Sequence, residues 1–107
     1  MIACFIRYEI EPYDRDKFET YAKGWNNAIQ RCGADPIGYF IPHEGSLTTA
    51  YGAYFIPSLS AYEDYKRKLS ADPEARENLA FAQRDRFIRA EDRIFLKLVE
   101  GSNGRRR

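Results

Sequence analysis

Between residues 18 and 32, apolar side chains recur at steps of three and four: Phe18, Tyr21, Ala22, Trp25, Ala28, Ile29 and Cys32. This spacing predicts an amphipathic helix whose stripe is wide enough to cover a sheet. Asp14 stands where a cap is needed, and Gly33 where a left-handed residue ends such a helix. Lys17, Glu19, Lys23, Asn27 and Gln30 fall outside the stripe.

The flanking segments supply the sheet. Residues 2–10, IACFIRYEI, place Ile2, Cys4, Ile6, Tyr8 and Ile10 on one face of a strand, and Ala3, Phe5, Arg7 and Glu9 on the other. Residues 36–42, PIGYFIP, and 50–56, AYGAYFI, read as a second and third strand. The polar connection HEGSLTT between them makes an antiparallel hairpin the natural pairing.

Pro57 stops the third strand, and Ser58 or Ser60 can cap a second helix, Ser60 with Glu63 having the reciprocal capping-box spacing. Leu59, Tyr62, Tyr65, Lys66 and Leu69 carry its period. Asp72-Pro73 reads as the cap and first residue of a third helix, running to Ala82 and toward Arg86, with Ala75, Leu79 and Ala82 on its apolar side. The charges from Arg84 to Arg93 read as a solvated helix end or linker. Residues 93–99, RIFLKLV, are the fourth strand.

The resulting order, β-α-β-β-α-β with an extra helix before the last strand, predicts an α+β, ferredoxin-like domain with a four-stranded antiparallel sheet. A chain of 107 residues holds one such domain, over residues 1–100, followed by a basic tail at 101–107 expected to be disordered. Helices cover only one face. On the other, the strands do not alternate cleanly between apolar and polar, and 15% of the residues are aromatic. A second copy packed sheet to sheet would shield those rings, so a homodimer is expected.

Composition also excludes. Without Arg105, Arg106 and Arg107 the net charge of +1 becomes −2, so the domain has no basic surface of the kind nucleic acid requires. Cys4 and Cys32 show no metal-ligand spacing, so no metal or other cofactor is expected. The apolar start MIACFI is too short for a signal peptide, and no segment reaches membrane-spanning length. A cytoplasmic protein with reduced thiols is expected.

His43 is the only histidine and sits just past Pro42. It reads as the end of a strand at a hairpin, or alternatively as a general base. Arg7 shares a strand face with Glu9; the two form an ion pair, or Arg7 holds an anionic group of a small ligand. Trp25 and Tyr21 lie in the helical stripe. With Tyr39 and Tyr51 they are candidates for an aromatic pocket, the strand tyrosines serving equally as interface residues.

The blocks RYEIEPYDRDKFETY (7–21), GYFIPHEG (38–45) and SLSAYEDYKRKLSADPEARE (58–77), in this order and at these intervals, resemble the NIPSNAP family of dimeric α/β-barrel proteins. The most specific piece is a second helix ending in Leu69, a short gap and Asp72-Pro73. Ala75 stands near the place where the family often carries an aromatic, and Tyr62 or Glu63 where it often carries an arginine. The resemblance implies a fold and a dimer, and for the wider superfamily a cleft between sheet and helices. Two functions are therefore expected. The first is a homodimer that binds a small aromatic or apolar ligand or a protein partner. The alternative is a cofactor-independent enzyme, monooxygenase- or isomerase-like, in which Arg7 orients an anionic group and His43 or a tyrosine moves a proton. A cleft of about 300 Å³ or more, reached by Arg7 and His43, would favour the enzyme.

Overall fold

The computed structural model describes residues 1–104; Arg105, Arg106 and Arg107 lie outside the described residues. The elements are β1 (Ile2–Ile10), α1 (Arg15–Arg31), β2 (Asp35–Phe40), β3 (Thr49–Ile56), α2 (Leu59–Ala71), α3 (Pro73–Asp85) and β4 (Ile88–Lys97). The strands form one antiparallel sheet in the order β2-β3-β1-β4, the predicted ferredoxin-like arrangement. Among the described residues, no helix is long and apolar enough to cross a membrane.

The stripe of α1 packs as its period predicts. Phe18, Tyr21, Trp25, Ala28 and Ile29 are buried against the face of β1 that carries Cys4, Ile6, Tyr8 and Ile10. Each large side chain so buried stabilises the fold by roughly 1.5–3 kcal/mol. Gly33 ends the helix at φ +109°, and the amides of Gly33 and Ala34 donate to the carbonyls of Gln30 and Ile29. Those two bonds satisfy carbonyls that the helix end leaves free. Asp14 starts α1 without a side-chain cap; its backbone carbonyl accepts from Lys17 and Phe18.

Local signals are resolved at the second helix. Ser58, not Ser60, caps α2, accepting from the Ala61 amide at 3.1 Å, so the Ser60–Glu63 capping box does not form. Leu59, at the first turn, points away from the core and is 59% exposed. Asp72 caps α3 through the Ala75 amide, with Pro73 at its start. Arg31 on α1 makes a bidentate ion pair with Asp72 at 3.0 and 2.8 Å and reaches Glu74 at 3.0 Å, tying the end of one helix to the start of another. Phe81 joins the core side of α3, its ring 5.0 Å from that of the fully buried Phe87.

The largest departure from expectation is β4. It begins at Ile88 rather than Arg93, so Arg89 to Arg93 are strand and not a linker. Pairing with β1 satisfies their backbones, while an edge position lets the charged side chains stay in water. The register sets Arg93 beside Ile6 and Glu91 beside Tyr8, on the helix-facing side, with Asp92 beside Arg7 and Ile94 beside Phe5 on the other.

That other face is uncovered in the single chain. Phe40, Tyr51, Ile94 and Leu96 are exposed on it, and Phe5 and Phe55 are half-buried. Arg7 is paired there with Glu9 at 3.2 Å and Asp92 at 3.9 Å.

Candidate functional site

A cleft of about 190 Å³ opens between the sheet and the helices. Ile6 and Tyr8 from β1, Tyr39 from β2 and Tyr54 from β3 form its floor. Tyr21 and Trp25 from α1, and Tyr62 and Tyr65 from α2, form its walls. Glu91 and Arg93 from β4 bring charge to it, and Lys66 stands 5.1 Å over the ring of Tyr62.

The rings hold one another in place. Tyr8 stacks on Tyr39 at 6.2 Å and meets Phe18 edge-on at 5.0 Å. Tyr21 stands edge-on to Trp25 at 5.7 Å, and Tyr54 tilts against Tyr65 at 5.1 Å. Edge-to-face and offset contacts of this kind place the positive rim of one ring against the negative face of another. Gly52 permits the seating of Tyr39, because its bare Cα leaves room for the ring of the neighbouring strand.

Electrostatically the cleft is a nest of neutral phenols. Burial holds Tyr8, Tyr39, Tyr54 and Tyr65 well above the ordinary tyrosine pKa, and pushes Tyr21 up to about 12. Burial likewise raises the thiol of Cys4, with the neighbouring Tyr54 side chain acting the other way. At neutral pH these groups stay protonated, so neither phenolate nor thiolate is ready to attack a substrate.

One polar atom stands out. Trp25 is only 7% exposed, and its Nε1 has no hydrogen-bond partner among the described residues. The Tyr21 side chain stands near enough for the indole N–H to act on its phenol as a hydrogen-bond donor does, against the larger effect of burial, yet no acceptor meets strict hydrogen-bond geometry at Nε1. A buried donor left without a partner costs about 1–3 kcal/mol.

The expected site residues divide between the two faces of the sheet. Tyr21, Trp25 and Tyr39 meet in the cleft. Tyr51 is on the opposite, uncovered face, beside Arg7 in the β1–β3 register. His43 is exposed in the connection between β2 and β3. The expected cooperation of Arg7 and His43 within the sheet–helix cleft is therefore not what the fold builds: an odd-numbered β1 position projects away from the helices. Tyr8, Tyr62, Tyr65, Glu91 and Arg93 were not singled out from sequence as site residues. Alternation in 90–95 could have revealed Glu91 and Arg93, since both share a face with Phe95, which packs on Tyr62 at 4.7 Å.

A four-stranded antiparallel sheet covered on one side by helices, with a tyrosine-lined cleft beneath them, defines a ferredoxin-like α+β protein. The sequence pattern of the NIPSNAP family matches residues 3–103, and the chain belongs to that family. No curated protein matches the sequence. A NIPSNAP family protein of unknown function from Agrobacterium tumefaciens is similar in structure, with a TM-score of 0.82 at 16% identity, covering 95% of this chain and 91% of that one. An uncharacterised NIPSNAP-like domain protein from Burkholderia xenovorans has a TM-score of 0.76 at 21% identity, over 95% and 88% of the two chains. A putative antibiotic biosynthesis monooxygenase from Nitrosomonas europaea shares the fold at a TM-score of 0.71 and 6% identity, over 92% and 99%.

Proposed function

We propose that the protein is a cytoplasmic homodimer that binds a small aromatic molecule in the sheet–helix cleft of each subunit. The observation that carries the ligand is the cleft itself, walled by the rings of Tyr8, Tyr21, Trp25, Tyr39, Tyr54, Tyr62 and Tyr65 with Arg93 in its lining. Ring stacking on a bound aromatic would add to the burial of apolar area. The cleft, at about 190 Å³, falls below the size set for the enzyme reading, and Arg7 and His43 lie outside its lining. Binding is therefore favoured over catalysis by those two residues.

The second copy covers the open face. Phe40, Tyr51, Ile94 and Leu96 are exposed there beside the Arg7–Glu9 and Arg7–Asp92 pairs. Under a two-fold axis the same patch meets itself, rings against rings. The free, buried thiols of Cys4 and Cys32 suit a reducing compartment.

Sedimentation equilibrium at micromolar concentration should return twice the chain mass of 12.5 kDa, and Tyr51→Glu should lower it to one; a monomeric wild type removes the dimer. Trp25 is the only tryptophan, so intrinsic fluorescence reports on the cleft directly. A concentration-dependent, saturable change with small phenols supports the ligand site. An unchanged spectrum across phenols, aromatic acids and aromatic amides removes it.

A further inference from the structure

The chemistry of the lining says more about the occupant. About 190 Å³ lies under the roughly 300 Å³ at which drug-sized pockets begin, which limits the occupant to about one ring. The charged groups of the lining are Arg93, Lys66 and Glu91, two cations against one carboxylate. The surrounding phenols add no negative charge, because burial keeps them protonated. Arg93 is the more committed of the two cations. It stands on a strand, in register with Ile6 on the cleft floor. Its side chain is 38% exposed and, among the described residues, donates one hydrogen bond, from Nη2 to Glu91 at 3.3 Å. A guanidinium has five N–H donors, so most of its capacity is left for a second acceptor, and its planar fork matches a carboxylate. With Lys66 beside it, cationic N–H donors are in excess around this small, ring-lined space, which calls for a ligand with an anionic acceptor group.

We propose that the cleft selects single-ring aromatic carboxylates, with Arg93 holding the carboxylate. This assignment rests on the cleft being a ligand site. Lys66, half-exposed on α2 and paired with Glu63 at 3.6 Å, adds field strength at the mouth rather than a fixed contact.

The test uses three compounds of one shape and different charge: 4-hydroxybenzoate, 4-hydroxybenzamide and 4-hydroxybenzylamine, titrated calorimetrically into the full chain. The acid should bind at least about tenfold tighter than the amide, as a charge-assisted pair requires, and the amine should bind weakest. Arg93→Gln should bring the acid down to the level of the amide. Arg67→Gln, on the outer side of α2, should preserve the difference. If amide or amine binds as tightly as the acid, or if Arg93→Gln keeps the preference, the carboxylate assignment is overturned and the cleft remains a ligand site. If none of the three binds, the assignment and the ligand site fall together.

Discussion

The ring of Tyr39 lies against the Cα of Gly52 on the neighbouring strand, so closely that a Cβ at position 52 would stand 2.6 Å from Cε2 and 2.9 Å from Cδ2. Tyr39 is also stacked on Tyr8 and set edge-on to Phe18, so it cannot move without disturbing the cleft floor. Gly52→Ala is expected to lower stability by about 1–3 kcal/mol, the usual cost of overpacking, and to weaken binding in the cleft. Urea unfolding and a fluorescence titration measure the two effects. Tyr39→Leu in the same chain should recover part of the stability loss, because the clash then has no ring to meet. A Gly52→Ala protein as stable as the wild type would contradict the geometry.

Gly24 sits inside α1, where Ala would ordinarily stabilise a helix by about 1 kcal/mol. Here the added Cβ would stand 2.7 Å from Oδ1 of the buried Asn78, whose Nδ2 donates to the Tyr21 carbonyl at 2.8 Å. Moving Asn78 breaks a buried hydrogen bond, and leaving it in place forces α1 and α3 apart. The clash outweighs the propensity gain, so Gly24→Ala should destabilise by about 1–2 kcal/mol in chemical denaturation. Combined with Asn78→Ala, it should cost less than the two single changes added together.

Arg86 ends α3 at φ 55° and ψ 38°, a left-handed conformation that costs an ordinary L-residue about 1–2 kcal/mol. Its side chain is exposed and its amide caps onto the Ala82 carbonyl, a bond any residue can make. Arg86→Gly is therefore expected to raise stability by about 1 kcal/mol, read as a higher thermal midpoint. No gain would mean that the Arg86 side chain contributes a contact of comparable size.

The buried phenols set an alkaline limit. Tyr8, Tyr21, Tyr39, Tyr54 and Tyr65 all have folded pKa values above the ordinary value of 10, Tyr21 at about 12. Between pH 10 and the folded values, the unfolded chain binds fewer protons than the folded one, so stability falls as pH rises. Below pH 10 the phenols are neutral in both states and this contribution is constant. Denaturation midpoints should decline steadily above pH 10, and absorbance at the tyrosinate band should jump on unfolding. A midpoint flat from pH 9 to 11 would argue against burial of these rings.

Much of the fold was legible because its signals are local. The three- and four-residue steps from Phe18 to Cys32, the cap at Asp72-Pro73 and the left-handed Gly33 each depend on neighbours within one turn. Two places were not legible for the same kind of reason. Charged side chains from Arg89 to Arg93 suggest a solvated linker when taken alone; only pairing with β1 gives their backbones partners and makes them strand. Ser58 and Ser60 both suit a cap, and the entry angle of the chain from β3 chose Ser58. For the candidate site, Tyr21, Trp25 and Tyr39 could be named from periodicity and aromatic content. Arg7 and Tyr51 could not be assigned to a face, because both faces of these strands are apolar enough to be either.

From the sequence alone came the order of elements, the helical stripe that must be buried, and the family to which the chain belongs. Tertiary structure decided which groups share a cavity: Trp25 from one helix, Tyr62 from another, Tyr8 and Arg93 from adjacent strands, with Arg7 on the far side of the same sheet. Periodicity is a property of neighbours along the chain and is written in a single segment. A cleft is made by elements distant in sequence, and its contents follow from strand register and packing, where a shift of one residue exchanges every side chain between the two faces.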